Sequence, residues 1–330
     1  MSKVTLIQVV YNNRKFVEPV FSAMINQIFK DVDVVAVIAG NDDGSKELIS
    51  EKFPQVKIID PGCNIGFAKG HNLVFSGSHS EFYQLVNPDL IMESYYVEKM
   101  LKAFEDPKVG AATGKLLHYD FERNQKTNII DSTGVNIFKS GAARDRGQHE
   151  TDSGQYDQFC NVPAVSAAGA MYRRAALESI KIPLPNAGRA ALDANFEYFD
   201  EDFHSYWEDA DLAWRMTNAG WKCGFVPSAV AYHGRGAGSS KGGYKKVFSY
   251  VKFHRALPSR LRELNYKNHI FMYIKNSPWF YPQFFFRELA MLVYICLFEI
   301  STLKVVPEML KLLPKMWQKR KMILKKRAHS

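Results

Sequence analysis

Cysteine is scarce in this sequence, and its apolar runs are shorter than a bilayer requires. The four cysteines, Cys63, Cys160, Cys223 and Cys296, lie far apart and form no CxxC pair. That spacing excludes a disulfide framework, and it predicts reduced, buried thiols in a reducing compartment. The apolar run 289–298, LAMLVYICLF, is bracketed by Arg287, Glu288 and Glu299. It is half the length of a bilayer span, which needs about 20 residues, so no transmembrane helix is predicted. The opening MSKVTLIQVVYNN has one lysine and no small-residue cleavage site. It reads as a first buried strand, not a signal peptide. Neither a dinucleotide fingerprint nor a P-loop is present, and there is no internal repeat.

What is there is ordinary in amount and uneven in place. Hydrophobic content is 46% and charged content 23%, as in globular proteins. The 330 residues can bury one large core or two modest ones. Residues 301–330 carry nine lysines and arginines against Glu308 alone, so they hold +8 of the formal +9. Negative charge is concentrated elsewhere. The stretch 199–221, FDEDFHSYWEDADLAWRMTNAGW, packs Asp200, Glu201, Asp202, Glu208, Asp209 and Asp211 among Phe203, Tyr206 and Trp207.

Short apolar segments alternate with helical patterns in the first part of the chain. VTLIQVV (4–10), VDVVAVI (32–38), VKIID (56–60), FYQLV (82–86) and VGAAT (109–113) read as strands, with a helix at about 94–105. This order predicts an α/β fold with a central, mostly parallel sheet. Residues 117–160 are polar and weakly periodic, with 140–155 a long surface loop, and 182–198 resembles an insertion. WKCGFV and AVAYH read as two strand-like pieces after a short helix that Gly220 stops. Three parts are expected: 1–115, 116–245, and a helical extension over 246–330 that is aromatic first and basic later.

In open parallel sheets, ligands bind beyond the carboxyl ends of the strands. The residues there are YNN (11–13), GNDDGS (40–45), NIGFAKGHN (64–72) and NPD (87–89). Asp89 is placed to hold a hard divalent cation against phosphate oxygens, although Asn-Pro-Asp is also an ordinary turn. Gly66 and Gly70 allow close backbone approach, and Lys69 offers charge to a phosphate. Asp209 suits a helix N-cap, with Asp211 a first-turn acid. A carboxylate beside apolar rings is also partly desolvated and is a better general base. His233 ends a strand before glycines, as a structural residue or as a ligand to metal or phosphate.

Taken together, VVYNNR, NIGFAKGHN, LVNPD, GAMYRR, FDEDFHSYWEDADLAWRMTNAGW and VPSAVAYHGRG resemble the family 2 glycosyltransferases of the GT-A fold, especially their rhamnosyltransferase-like branch. The resemblance covers roughly residues 3–240. It implies a nucleotide-sugar-binding half in 1–115 and an acceptor-binding, catalytic half in 116–245. It implies Asp89 as a metal ligand, with Asn87 where a strict DxD motif has its first acid. It implies His233 as a further ligand to Mg²⁺ or Mn²⁺, and Asp209 as catalytic base. Tyr11, Asn12, Asn41 and Asp42 would line the nucleotide, and Gly66, Lys69 and Gly70 the donor. Trp207 and Glu208 would face the acceptor, leaving Asp200 to Asp202 as plain surface charges. The family's Asp-Asn pair at the end of the second strand is Ala39-Gly40-Asn41 here.

The implied reaction is inverting transfer from a dTDP- or UDP-sugar to a glycan or polyprenyl-linked glycan, as in envelope polysaccharide synthesis. The alternative is a catalytically silent nucleotide-sugar or membrane-binding partner of such an enzyme. The aromatic run 279–286, the apolar run and the basic end together suggest a segment lying on an anionic membrane surface. A helical core or dimer contact with a solvated basic end is the other reading, so an oligomer stays open. The expected location is cytoplasmic, at the inner face of the cell membrane. No nucleic-acid module accompanies the basic tail.

Overall fold

The computed structural model describes residues 2–40, 43–184, 196–235, 251 and 254–327. Its centre is a ten-stranded sheet. The strands are β1 (Val4–Val10), β2 (Val32–Ile38), β3 (Lys57–Ile59), β4 (Phe82–Leu85), β5 (Leu90–Met92), β6 (Val109–Asp120) and β7 (Gln125–Ser132), then β10 (Cys160–Val162), β11 (Ala170–Arg173) and β14 (Lys222–His233). Their order is β10-β14-β6-β11-β4-β1-β2-β3, with β5 on β14 and β7 on β6. β3, β2, β1 and β4 pair in parallel, as do β6 and β14. β11 is antiparallel to both β4 and β6. It therefore leaves all six of those strands running the same way, and their carboxyl ends open on one edge.

Helices cover both faces. α1 (Arg14–Ile25), α2 (Ser45–Lys52) and α4 (Tyr96–Leu101) lie on one side, and α3 (Gly66–Gly77), α5 (Arg174–Ile180) and α6 (Glu208–Asn218) on the other. Strand alternation divides the core. Val4, Leu6 and Val10 of β1 pack with Phe16, Val20 and Met24 of α1, whereas Ile7 and Val9 pack with Ala68, Val74 and Phe75 of α3. All seven residues of β1 are buried, which is why it reads as a continuous apolar run and not an alternating one.

Several sequence expectations change here. The polar, weakly periodic stretch 117–160 holds the end of β6, all of β7, and a small hairpin of β8 (Val135–Ile137) with β9 (Ala143–Asp145), the latter inside the expected loop 140–155. Its polar residues lie on an edge, where strand periodicity is weak. The two strand-like pieces after residue 221 are one strand, β14. Its pairing to β6 jumps from Val226↔Gly114 to Val230↔Lys115, so residues 227–229 bulge out around Pro227, which has no N–H to give the ladder. A side chain at Gly114 would put its Cβ 2.3 Å from the Ala229 carbonyl oxygen, so only glycine fits under the bulge. The 182–198 segment pairs β12 (Ile182–Pro183) with β13 (Phe196–Glu197). The helix expected at 94–105 is α4 followed by a 3₁₀ turn, Lys102–Glu105. All four cysteines are free, but only Cys223 is buried, and Cys63 and Cys296 are exposed.

The C-terminal part is helical: α7 (Ser259–Asn276), α8 (Pro282–Phe298) and α9 (Val306–Arg327). Phe271, Met272 and Ile274 of α7 and Met316 of α9 form a third core with Ala210 of α6 and Phe203. No single described helix is long and apolar enough to cross a membrane. α8 with Ile300–Arg327 passes that test only as a pair bent by 117°.

Candidate active site

The carboxyl ends of β1 and β2 meet at Tyr11, Asn12 and Gly40. Ala39 N–H donates to the Val10 carbonyl at 2.8 Å. A Cβ on Gly40 would lie 2.9 Å from Asn12 N and 3.0 Å from its Oδ1, so glycine lets the two loops touch. Tyr11 is exposed, and Asn12 takes a left-handed φ of 50°. Arg14 donates its backbone N–H to Asp43 and its guanidinium to the Gly44 carbonyl. Asn41 and Asp42 lie outside the described residues.

α3 starts at Gly66, whose φ of 76° suits glycine, and whose Cβ position is 2.5 Å from His204 Nδ1. Lys69 is exposed on this helix. Gly70 is buried instead, and its Cβ would sit 2.8 Å from Val9 Cγ2. It serves the close packing of α3 on β1.

Asp89 follows β4 in a turn closed by Leu90 N–H on the Asn87 carbonyl at 3.0 Å. His233 ends β14 beside it. Nε2 is 3.2 Å from Asp89 Oδ1, and Nδ1 is 2.8 Å from Asp131 Oδ2. Arg235 bonds Asp131 and Asp145. Burial opposes charge on His233, but the two carboxylates outweigh it and raise its pKa to about 10. Burial likewise pushes Asp131 up, and the His233 and Arg235 charges win, bringing it to about 2. Sequence reasoning missed Asp131, Asp145 and Arg235: Asp131 lies in the polar, weakly periodic stretch 117–160, and Asp145 in the part of it, 140–155, expected to be a surface loop.

Among the described residues, no group of three or more His, Cys, Asp or Glu side chains stands ready to hold a metal ion. Asp89 and His233 nonetheless set an oxygen and a nitrogen side by side, with Asp131 behind the imidazole as an orienting carboxylate, so a cation there would displace the Nε2 proton that the two carboxylates otherwise hold on His233. Mg²⁺ is commonly held by one or two carboxylates plus substrate phosphates, so Asp89 fits as the carboxylate ligand of a cation that arrives with a diphosphate.

The acidic stretch forms the facing wall. Glu208 and Asp209 open α6, directly after three left-handed non-glycine residues, His204 (φ 61°), Tyr206 (72°) and Trp207 (71°). Such backbone costs about 1–3 kcal/mol per residue and persists where surroundings enforce it. Asp209 Oδ2 accepts from Ala167 N–H at 3.3 Å, and its Oδ1 from Ala210 N–H at 2.7 Å. Glu208 is 7% exposed, and its Oε2 has no partner. Burial first, then the Asp209 charge, raises Glu208 to about 8. Burial also raises Asp209, against the two backbone N–H groups. Trp207 Nε1–H donates to Asn265 Oδ1 at 3.1 Å. The Tyr172 hydroxyl is buried nearby without a partner.

One short segment joins the two walls. Ala168 accepts from Asn87 N–H at 2.9 Å, and Ala167 donates to Asp209. Asp145, the partner of Arg235, also acts on the titration of Asp209. Asp89, His233, Glu208 and Asp209 therefore belong to one region.

The rest of the acidic stretch is not surface charge, contrary to expectation. Asp200 and Asp211 are fully buried, and Lys275 bonds both. Lys319 of α9 reaches Glu197, Asp200 and Asp202, and Lys315 reaches Asp202 at 2.8 Å. The basic tail folds back onto the acids, which is why a chain of net positive charge can gather them here.

The family model for glycosyl transferase family 2 matches residues 5–181. A glycosyltransferase, GlyA of Streptococcus pneumoniae, is 21% identical over 189 residues, covering 56% of this chain and 26% of its own. This chain thus spans about a quarter of that relative's length. An N-acetylglucosaminyl-diphospho-decaprenol L-rhamnosyltransferase of Mycobacterium tuberculosis is 22% identical over 245 residues, 69% of this chain and 75% of the relative. Among solved structures, the mannosyltransferase PcManGT from Pyrobaculum calidifontis, in complex with GDP-Man and Mn²⁺, superposes with a TM-score of 0.51 at 15% identity. That match covers 99% of this chain and 86% of that one. The sheet is that of the GT-A fold, and the chain belongs to glycosyl transferase family 2.

Proposed function

We propose that the chain is an inverting glycosyltransferase that moves a sugar of the rhamnose class from a dTDP- or UDP-sugar to a glycan or polyprenyl-linked glycan in envelope polysaccharide synthesis. The observation that carries this is the unequal pair at the start of α6. Glu208, raised to about 8, holds its proton at pH 7, while Asp209 accepts from the Ala167 and Ala210 backbone N–H groups, which favour its charged form. Asp209 is the general base. It takes the proton of the acceptor hydroxyl as that oxygen bonds the anomeric carbon. The carbon's bond to the diphosphate breaks on the opposite face, the diphosphate leaves with the electron pair, and the configuration inverts.

Asp89 and His233 are the residues that would hold Mg²⁺ or Mn²⁺, whose charge would offset that of the departing diphosphate. Tyr11 and Asn12 line the nucleotide, Lys69 stands on the donor side, and Trp207 and Glu208 face the acceptor. The rhamnosyltransferase relative, whose name includes a decaprenol-linked diphosphate sugar, supports a lipid-linked acceptor. In this division 1–115 is the donor half, 116–245 the acceptor half and 246–330 the C-terminal part, whose helices α7 and α9 pack on α6.

The same reading places the chain on an anionic membrane surface, at the cytoplasmic face. α8 is inside out for a helix of a water-facing surface. Arg287 and Glu288 turn inward, where Glu288 meets His269 at 2.8 Å. Between residues 285 and 298 every exposed position is apolar, Phe286 at 73% and Leu297 at 70% included. Exposed Lys304, Lys311 and Lys321 follow. Two copies meeting here would bring like charges together, whereas lipid with anionic headgroups takes both features.

The deciding experiment measures thermal stability with UDP, dTDP, GDP and CMP, each with and without Mn²⁺, followed by release of nucleotide from the matching sugar donor with acceptor present. A metal-dependent shift with one nucleotide, and acceptor-dependent release, are expected. No shift with any nucleotide would overturn the reading.

A further inference from the structure

The turn that presents Glu208 and Asp209 is held from outside the matched family region. Asn268 of α7, fully buried, points its side-chain amide at three carbonyls, those of Phe203, Ser205 and Tyr206, each at 2.9 Å. Lys267, one residue earlier, donates to the Asp202 carbonyl at 2.9 Å. Asn265, one turn earlier, holds the Trp207 indole. Lys275 and Asn276 at the end of α7 bind Asp211, two residues past Asp209. Lys319 of α9 binds Asp200 at 2.6 Å, just before the turn. These contacts sit on both sides of three successive-in-space left-handed residues, His204, Tyr206 and Trp207.

We infer that α7 is the positioning element of the acceptor wall: Asn268 and Asn265 hold the strained 203–207 turn so that Asp209 and the Trp207 ring face the substrate. The chemistry is direct. A left-handed run of non-glycine residues points its carbonyls away from helical or strand partners, and these need donors where they are buried. One primary amide reaches three of them with its two N–H groups, one hydrogen being shared between two carbonyls, and Ser205 N–H adds a further bond to the Phe203 carbonyl at 2.7 Å. Without it the turn relaxes towards ordinary backbone angles and the first turn of α6 rotates with it. Asp209 then moves relative to a donor that is bound by other elements, β1, β2 and α3. Displacement of a reacting group by about 1 Å costs as much as 10²-fold in rate. None of these α7 residues touches substrate in this scheme, so they are positioning residues. The C-terminal helices therefore complete the site as well as carrying the outward face of α8.

This rests on the proposed transfer reaction, and the test separates the two. In the full chain, Asn268→Ala removes the amide and Asn265→Ala releases Trp207. Asn265 is partly exposed, so its loss leaves folding intact. Nucleotide affinity is measured with UDP and dTDP, alongside kcat, acceptor KM, the pH profile of transfer, and amide hydrogen exchange over residues 203–212. Expected are nucleotide Kd values within twofold of wild type and a kcat lowered roughly 10–100-fold for Asn268→Ala. Its acid limb should move to lower pH as water reaches Asp209, and acceptor KM should rise for Asn265→Ala. Exchange over 203–212 should speed up in both. A purely structural role would change melting temperature while leaving the acid limb and acceptor KM in place. If Asn268→Ala does not fold, Asn265→Ala decides: unchanged acceptor KM and exchange overturn the inference. If wild type transfers from no donor, the transfer reading falls, while unaltered exchange in both variants would separately overturn the positioning.

Discussion

Lys319 Nζ lies 2.6 Å from Asp200 Oδ1, and the two residues are 119 positions apart in the chain. Both are buried, with Lys275 on the other carboxylate oxygen. Charges withdrawn from water like this depend on their partners, and removing one partner typically costs about 3–5 kcal/mol. Lys275→Met should therefore lower unfolding stability by about that amount, read as the guanidinium midpoint at pH 7. A midpoint within error of wild type would show that the cluster does not hold the tail.

The pH range of this latch follows from its signs. Burial alone would raise Asp200, but Lys275 and Lys319 hold it well below the ordinary carboxylate range. Its contribution is complete above the unfolded pKa of about 3.9 and is lost as pH falls through the folded value. Lys319 is raised by its acids against burial. Its contribution is complete below about 10.4 and is lost as pH rises through the folded value. Asp200 and Lys319 should themselves give no step in melting temperature between those limits. Glu197, which Lys319 also reaches, is raised to about 7 by burial and then by the Asp200 charge. Stability should therefore fall from about pH 4.5 to pH 7, as the unfolded chain sheds that proton and the folded chain keeps it.

Glu208 carries the opposite sign. Its folded pKa is about 8 against a reference of 4.5. From pH 4.5 upwards the unfolded chain sheds that proton and the folded chain keeps it, so wild type loses stability through pH 8. Glu208→Gln should match wild type at pH 4 and melt higher at pH 8. It should also keep most of the transfer rate at pH 7, where the wild-type group is already neutral. An equal melting difference at both pH values would rule out the shifted carboxyl.

Asp209→Asn should lower transfer by ~10²–10⁴-fold, the usual worth of a general base, with nucleotide binding unchanged. Asp89→Ala should instead weaken metal-dependent nucleotide binding by roughly tenfold or more, about 1.4 kcal/mol. Chelation should remove the difference between Asp89→Ala and wild type. Wild-type transfer rates in Asp209→Asn would remove the base from the mechanism.

The parts that sequence reading reached share a local signature. β1 and β2 are apolar runs, and the residues put forward for the site, Asp89, Asp209 and His233, stand in a turn after β4, at the start of α6 and at the end of β14. Such positions follow from pattern and from the rule that ligands sit at strand ends. What it missed depends on distant pairing. Asp131 meets Arg235 across 104 residues and Asp145 meets it across 90. A polar stretch gives no sign that its acids will be buried against a later arginine. The same holds for Asp200 and Asp202, which looked solvated because their lysines come 75 to 119 residues later. The basic end of the tail reads as lying on an anionic membrane surface or in solvent for the matching reason. Yet Lys315 and Lys319 are paired, Arg320 bonds the carbonyls of Ile274 and Ser277 at the end of α7, and Lys326 that of Ser179.

The surface of α8 gives the last prediction. With Arg287 and Glu288 turned inward, the outward residues Phe285, Phe286, Leu289, Val293 and Leu297 supply an apolar stripe, and Trp279, 70% exposed, stands at its start. Full-length protein should float with vesicles containing anionic lipid, and Trp279 fluorescence should be quenched by lipids brominated near the headgroup. Salt separates the two attractions. Charge contacts fade as the screening length drops to about 3 Å at 1 M, whereas apolar burial at about 25 cal/mol/Å² does not. Flotation should therefore weaken but persist at high salt. Leu289→Glu with Val293→Glu should abolish it while leaving melting temperature and nucleotide binding unchanged, because neither side chain contributes to the core. If that double variant floats as well as wild type, the stripe is not the lipid contact. If wild type forms a concentration-dependent dimer without lipid and the double variant is a monomer, the stripe is covered by a second copy instead.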